Sequence, residues 1–152
     1  MKIAEMLTPS RISLQVRAET KEDVLEELIK ILNDNGDLED VNDVRRVIFE
    51  REKLMSTGIG HGIALPHGKT NAVKLTSVSM ITLAQPVDYE SLDGQPIQLA
   101  IMLVGKENQV STHLKLLSKI SRVIANESFR HYAIGAQTAE EIHQLFSEAD
   151  EN

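Results

Sequence analysis

Residues 77–104 read SVSMITLAQPVDYESLDGQPIQLAIMLV. The two ends, residues 77–83 and 97–104, are runs rich in Val, Ile, Leu and Met that predict strands. Pro86, Asp93-Gly94 and Pro96 mark a turn-rich loop between them. After Gly105 the period changes: Leu114, Leu117, Ile120, Val123 and Ile124 recur at three- and four-residue steps, which predicts a helix. A last helix is expected from Thr138, with Glu141 completing a capping box, to Phe146.

The N-terminal side follows the same logic. Residues 11–18 alternate Ile12, Leu14 and Val16 with polar neighbours, a strand pattern. Thr20 and Asp23 form a capping box ahead of Val24, Leu25, Leu28, Ile29 and Leu32, a helical stripe that stops at Gly36. A second helix is expected after Asp40, with Val41, Val44, Val47 and Ile48 on one face and an end near residues 53–55. Residues 63–65 are a short apolar run that fits a buried strand. Strands in the middle with helices on both sides predict a layered α/β domain. With 152 residues, no internal repeat and no linker, residues 1–152 are expected to form one domain, with an acidic, frayed tail over 145–152.

Composition excludes several classes of function. The chain has no cysteine, so disulfide frameworks, Cys-ligated zinc, iron–sulfur clusters and thiol catalysis are out. A net charge of −7 argues against sequence-independent nucleic-acid binding. No run approaches the roughly 18 apolar residues of a membrane span, and residues 1–10 hold no signal-peptide core, so the expected compartment is the cytoplasm. Charge is uneven: Lys106, Lys115, Lys119, Arg122 and Arg130 stand against Glu107 and Glu127. That stretch is either a solvated basic helix or a positive field for a small anion or an anionic partner.

The chemistry concentrates in residues 57–70, TGIGHGIALPHGKT. It is not a P-loop, since five residues separate Gly62 from Gly68-Lys69-Thr70 where that motif has four, and Ile63 occupies the position that needs glycine. Nor is it a dinucleotide fingerprint, because the pattern is G-x-G-x-G after a helix. What remains is His67 between Pro66 and Gly68, presented directly after an apolar run. It is a candidate base, nucleophile or metal ligand against the plainer reading of a polar surface residue. Arg51 falls on the apolar stripe of the second helix: it either points at the sheet, where it needs an anion or carbonyls, or packs its stem and keeps its head in water. His113 opens the helix that carries the basic residues. It is either a half-buried core histidine or a neighbour of an anion at the helix start.

Taken together, Arg51-Glu52-Lys53, Ser56-Thr57-Gly58-Ile59-Gly60, Ile63-Ala64-Leu65-Pro66-His67-Gly68-Lys69 and Thr112-His113-Leu114 resemble the fructose/mannitol-type enzyme IIA family of the bacterial phosphotransferase system, most closely its nitrogen-regulatory branch. The resemblance runs from the first strand to the last helix. It implies a single three-layer α/β domain with a mixed central sheet flanked by helices. It also implies that His67 accepts a phosphoryl group at Nε2 from an HPr-type carrier, and that Arg51 and His113 flank the phosphate. Glycine amides over residues 58–62 would add donors, so Thr57, Gly58, Gly60, His61, Gly62 and Gly68 are expected in the phosphate environment. No cofactor and no metal is implied. The family commonly has an acidic residue or Asn where this chain has His61. With His67 and His113 it makes three histidines, but the spacing is not that of a helical zinc pair.

Two downstream roles follow from the resemblance. In one, a regulatory module switches partners when His67 gains roughly −2 of charge; in the other, a sugar IIA component passes phosphate to a separate IIB. Gly68, and the absence of a fused IIB or transport domain in this sequence, favour the first. His131 and His143 sit among helical residues and are expected to do no chemistry.

Overall fold

Alternate residues of the two longest strands feed two separate hydrophobic cores. A computed structural model describes residues 2–151, and in it β5 (Ser77–Val87) and β6 (Ile97–Lys106) pair antiparallel, with Ser77 opposite Val104 and Thr82 opposite Leu99. Val78, Met80, Leu99, Ile101 and Leu103 enter one core. Ile81, Leu83, Ala100, Met102 and Val104 enter the other. Covering both faces of a sheet makes its central strands read as nearly unbroken apolar runs.

On the first face lie α1 (Ile3–Met6), α4 (Val110–Ile124), α5 (Glu127–Ile134) and α6 (Ala139–Asp150). On the second lie α2 (Lys21–Asp34) and α3 (Val41–Leu54). Beyond β5, β1 (Ile12–Val16) runs parallel to it. Along the other edge of β6, β3 (Ile63–Ala64) and then β4 (His67–Thr70) lie end to end, both parallel to β6. A hairpin adds β2 (Gly58–Gly60) to β3. The result is one six-stranded mixed sheet between two helical layers, as anticipated.

The predicted caps form, with one change. At α2, the Thr20 hydroxyl accepts from the Asp23 N–H at 3.1 Å and the Asp23 carboxylate accepts from the Thr20 N–H at 3.3 Å. At α6, Thr138 accepts from the Glu141 N–H, but the Glu141 carboxylate reaches past it to the Gln137 N–H at 3.0 Å. Helix α5 contains the His131 expected among helical residues, and Asn126 caps it by accepting from the Phe129 N–H.

His67, directly after the apolar run, opens strand β4. One further expectation is corrected. The acidic C-terminus is not frayed up to residue 150: α6 runs to Asp150, whose carboxylate accepts from the Ile3 and Ala4 N–H groups, both at 2.9 Å. The same carboxylate meets Lys119 Nζ at 2.8 Å, and the Asp150 side chain is only 1% exposed. A charge that looks solvated in sequence is therefore the cap of the first helix.

Candidate functional site

β3 and β4 would be one strand but for Leu65-Pro66. Pro66 has no N–H for the sheet ladder, and its carbonyl still accepts from the Leu103 N–H at 3.0 Å, so the chain stays on β6 through the break. The break turns the Leu65 carbonyl toward the next side chain. His67 Nδ1 lies 2.7 Å from that oxygen. A carbonyl only accepts, so Nδ1 carries the ring proton and the lone pair is on Nε2. Burial lowers the basicity of His67; the bond to Leu65 opposes this, the charge of Arg51 lowers it further and Glu52 opposes that, leaving the pKa below the ordinary histidine value. At neutral pH the ring is uncharged, with a nucleophilic nitrogen.

His113 stands opposite, in the first turn of α4. It is 4% exposed, and its seat is made by Gly105 on β6: a Cβ there would run into the imidazole at Nδ1. Nδ1 is buried and has no hydrogen-bond partner among the described residues. A buried donor without an acceptor costs more than a spare lone pair, so the proton belongs on Nε2. Burial, with the nearby His67 and Lys69, pushes the His113 pKa down to about 4. It is thus a neutral N–H donor.

Arg51 occupies the last turn of α3, where Nη1 donates to the Met55 carbonyl at 3.0 Å. The helix reaches this position because β4 has Gly68 beneath it; a Cβ at Gly68 would come within 2.9 Å of Val47 Cγ1. One glycine on each face of the sheet lets a helix approach closely enough to bring its charged or polar residue to His67. Val47, Arg51, His67, Gly68, Lys69, Glu107 and His113 line a pocket of about 520 Å³.

Of the residues expected around the phosphate, the pocket gathers Arg51, His67, Gly68 and His113. Thr57, Gly58, Gly60, His61 and Gly62 do not line it. The β2–β3 hairpin turns Gly58, Gly60 and His61 toward the loop at residues 91–93, where the Gly58 carbonyl accepts from the Leu92 N–H and the His61 N–H donates to Asp93 Oδ2 at 3.2 Å, while the Gly62 carbonyl accepts from the Gln98 and Leu99 N–H groups. His61 is exposed, in a left-handed conformation with φ 57°. Thr57 is 3% exposed and bonded to Glu52. Among the remaining histidines, His131 is exposed and His143 Nε2 meets the Ala4 carbonyl.

Lys69 and Glu107 also face the pocket. Period-two alternation from His67 would have found Lys69 had residues 67–70 been read as a strand. Glu107 has no local signal: it arrives from the turn after β6, tethered by Asn71 Nδ2 at 2.8 Å. Among the described residues no group of three or more His, Asp or Glu side chains could hold a metal ion.

Residues 5–149 match the family described as "Phosphoenolpyruvate-dependent sugar phosphotransferase system, EIIA 2". The chain belongs to this enzyme IIA family. It is 37% identical over 150 residues to the fructose-specific EIIABC component of Bacillus subtilis, which covers 99% of this chain but only 24% of that protein. The chain thus spans about a quarter of that relative. The crystal structure of the nitrogen regulatory protein IIA-Ntr from Neisseria meningitidis matches with a TM-score of 0.88 and 34% identity, over 95% of this chain and 98% of that one. The mannitol enzyme IIA of Escherichia coli, solved in complex with its phosphorylated enzyme IIB, shares the fold at a TM-score of 0.80 and 23% identity, over 93% and 97% of the two chains. In this enzyme IIA chain the pocket combines a neutral imidazole with a free lone pair, a neutral N–H donor, the two cations Arg51 and Lys69, and the carboxylate of Glu107. That set suits acceptance of a phosphoryl group. No helix among the described residues is long and apolar enough to cross a membrane.

Proposed function

We propose that the protein is a phosphohistidine phosphocarrier acting in nitrogen or metabolic regulation in the cytoplasm, with His67 Nε2 as the acceptor. The observation that carries this is the 2.7 Å contact of His67 Nδ1 with the Leu65 carbonyl, which leaves Nε2 as the free lone pair. The donor is a phosphohistidine on an HPr-type carrier protein. In the transfer, the N–P bond on the donor ring breaks and its electron pair stays with that ring. A new P–Nε2 bond forms on His67. The Nδ1 proton stays in place, and the Leu65 carbonyl stabilises the positive charge the ring acquires.

Arg51 and the Nε2–H of His113 face the charge that develops on the equatorial oxygens, and Lys69 adds a further cation. Arg51 exchanges its contact with the Met55 carbonyl for the phosphoryl group. The work is positioning and electrostatics, as phosphoryl transfer requires. A regulatory target is the partner that reads the phosphorylated state. A second reading, a sugar-specific IIA that hands phosphate to a separate IIB, is favoured by the identity to the fructose-specific relative.

Incubation with phosphoenolpyruvate, enzyme I and the HPr-type carrier is expected to give an acid-labile, base-stable phosphate. His67→Ala should abolish it, and His61→Ala should keep most of it. Label that persists in His67→Ala overturns the assignment. Capture of partners by His67→Asp but not His67→Ala separates the two roles: a IIB component supports transport, and a kinase or ion-transport regulator supports regulation.

A further inference from the structure

Behind His67 lies a buried polar chain that begins on two other elements. Glu52, in the last turn of α3, is only 6% exposed. Its carboxylate accepts from the Thr57 N–H at 2.8 Å and from the Thr57 hydroxyl at 2.7 Å. Lys21, the first residue of α2, places Nζ 3.0 Å from the same carboxylate and 4.7 Å over the ring of Tyr89. The Tyr89 hydroxyl lies 3.1 Å from Thr57 Oγ1. Thr57 is held on its N–H and its hydroxyl, and its carbonyl in turn accepts from the Leu65 N–H at 2.9 Å. The other end of Leu65 is the carbonyl that takes the His67 proton.

A carboxylate buried this deeply at the C-terminal end of a helix is disfavoured by desolvation and by the helix dipole. It is held there by Lys21 and the two Thr57 donors. We infer that Glu52, with Lys21 and Thr57, is a positioning residue for the reaction: it orients the Leu65 peptide and so keeps His67 in the Nδ1–H tautomer that leaves Nε2 free. Glu52 touches neither His67 nor the phosphoryl group; it acts through two peptide units. A ring released from Leu65 would divide its proton between Nδ1 and Nε2, and molecules protonated at Nε2 cannot attack. The chain also explains why Thr57 is buried in the hairpin base rather than facing the pocket.

The inference rests on His67 being the acceptor, and the test keeps the two claims separate. The tautomer of His67 is read from its ring ¹⁵N shifts in the unphosphorylated protein, with no transfer partner present. The rate of label uptake from the phosphorylated HPr-type carrier is read independently. Glu52→Ala is expected to show both tautomers and to slow uptake by roughly 10- to 100-fold, the usual loss when a group that orients a reactive ring is removed. Glu52→Gln keeps an acceptor for the Thr57 N–H and should recover the single tautomer and, with it, a rate close to that of the wild type. Should Glu52→Ala fail to fold, Thr57→Val, which removes one of the two donors, should still show a detectable second tautomer. A single Nδ1–H tautomer in a folded Glu52→Ala or in Thr57→Val overturns the inference, as does a rate loss without a tautomer change. Absence of label in the wild-type protein overturns the acceptor assignment instead.

Discussion

The imidazoles of His67 and His113 face one another with centroids 6.2 Å apart and planes inclined by 49°. One ring leads with a lone pair and the other with a donor proton, so a phosphoryl group on the first, the acceptor we propose, would find a hydrogen bond from the second. The two rings come from a strand edge and a helix start on the same face of the sheet. Gly105 alone allows the helix to seat its histidine there.

This pairing fixes a pH response. His113 titrates near 4 before transfer because it is buried beside His67 and Lys69. After transfer, the phosphoryl charge favours the imidazolium, and the His113 pKa should rise by about 1–3 units. NMR titration of the His113 ring in both forms measures it; an unchanged midpoint would place the phosphate elsewhere. The folding linkage has a definite sign. Both histidines have pKa values lower in the folded than in the unfolded chain, so the unfolded state binds protons first. Stability is complete above about pH 6.5, the ordinary histidine value, and falls toward pH 4.

Arg51 and Lys69 are the two cations that line the pocket. Arg51→Ala should slow phosphoryl uptake by about 10²- to 10³-fold, the typical result of removing one preorganised donor. Thermal stability should change little, because the side chain bonds a helix-end carbonyl and no other group among the described residues. Arg51→Lys restores charge without the planar fork and should recover only part of the rate. Single-turnover labelling measures both.

Gly105→Ala tests the seat of His113. The added Cβ meets a buried ring rather than a flexible chain end, so overpacking should cost about 1–3 kcal/mol, with a loss of phosphoryl uptake. Gly68→Ala meets Val47 Cγ1 at 2.9 Å. A valine methyl yields more readily than an imidazole in a fixed seat, so its cost should be smaller. Denaturant melts rank the two.

Asp150 joins the ends of the chain to α4. Burial opposes its ionisation, but Lys119 and the N–H groups of Ala4 and Ile3 more than offset this and hold its pKa below the ordinary carboxylate value. Its contribution is therefore intact at neutral pH and is lost as pH falls below about 3.8. Asp150→Ala removes the cap of α1 and should cost about 0.5–2 kcal/mol. Limited proteolysis should then cut first within the opening residues; an N-terminus as resistant as wild type would contradict the latch.

The sequence by itself determined the layers, because period-two and period-3.6 patterning reports which face of an element is buried. Thr20 with Asp23 marked a helix start, Pro66-His67-Gly68 singled out the proposed acceptor ring, and the lack of cysteine removed whole classes of chemistry. Tertiary structure alone decided partnership. The glycines at 58–62 looked like an anion nest, yet hairpin pairing on β3 turns Gly58 and Gly60 to the 91–93 loop and ties Gly62 to the start of β6. Glu107 reaches the pocket and Asp150 reaches α1 only because the sheet brings distant segments together. Glu52 reads as one more charge in a polar helix end until Lys21 and Thr57 close around it. Local pattern fixes exposure within one element, whereas a buried polar group is defined by the atoms that satisfy it, and here those atoms come from other elements.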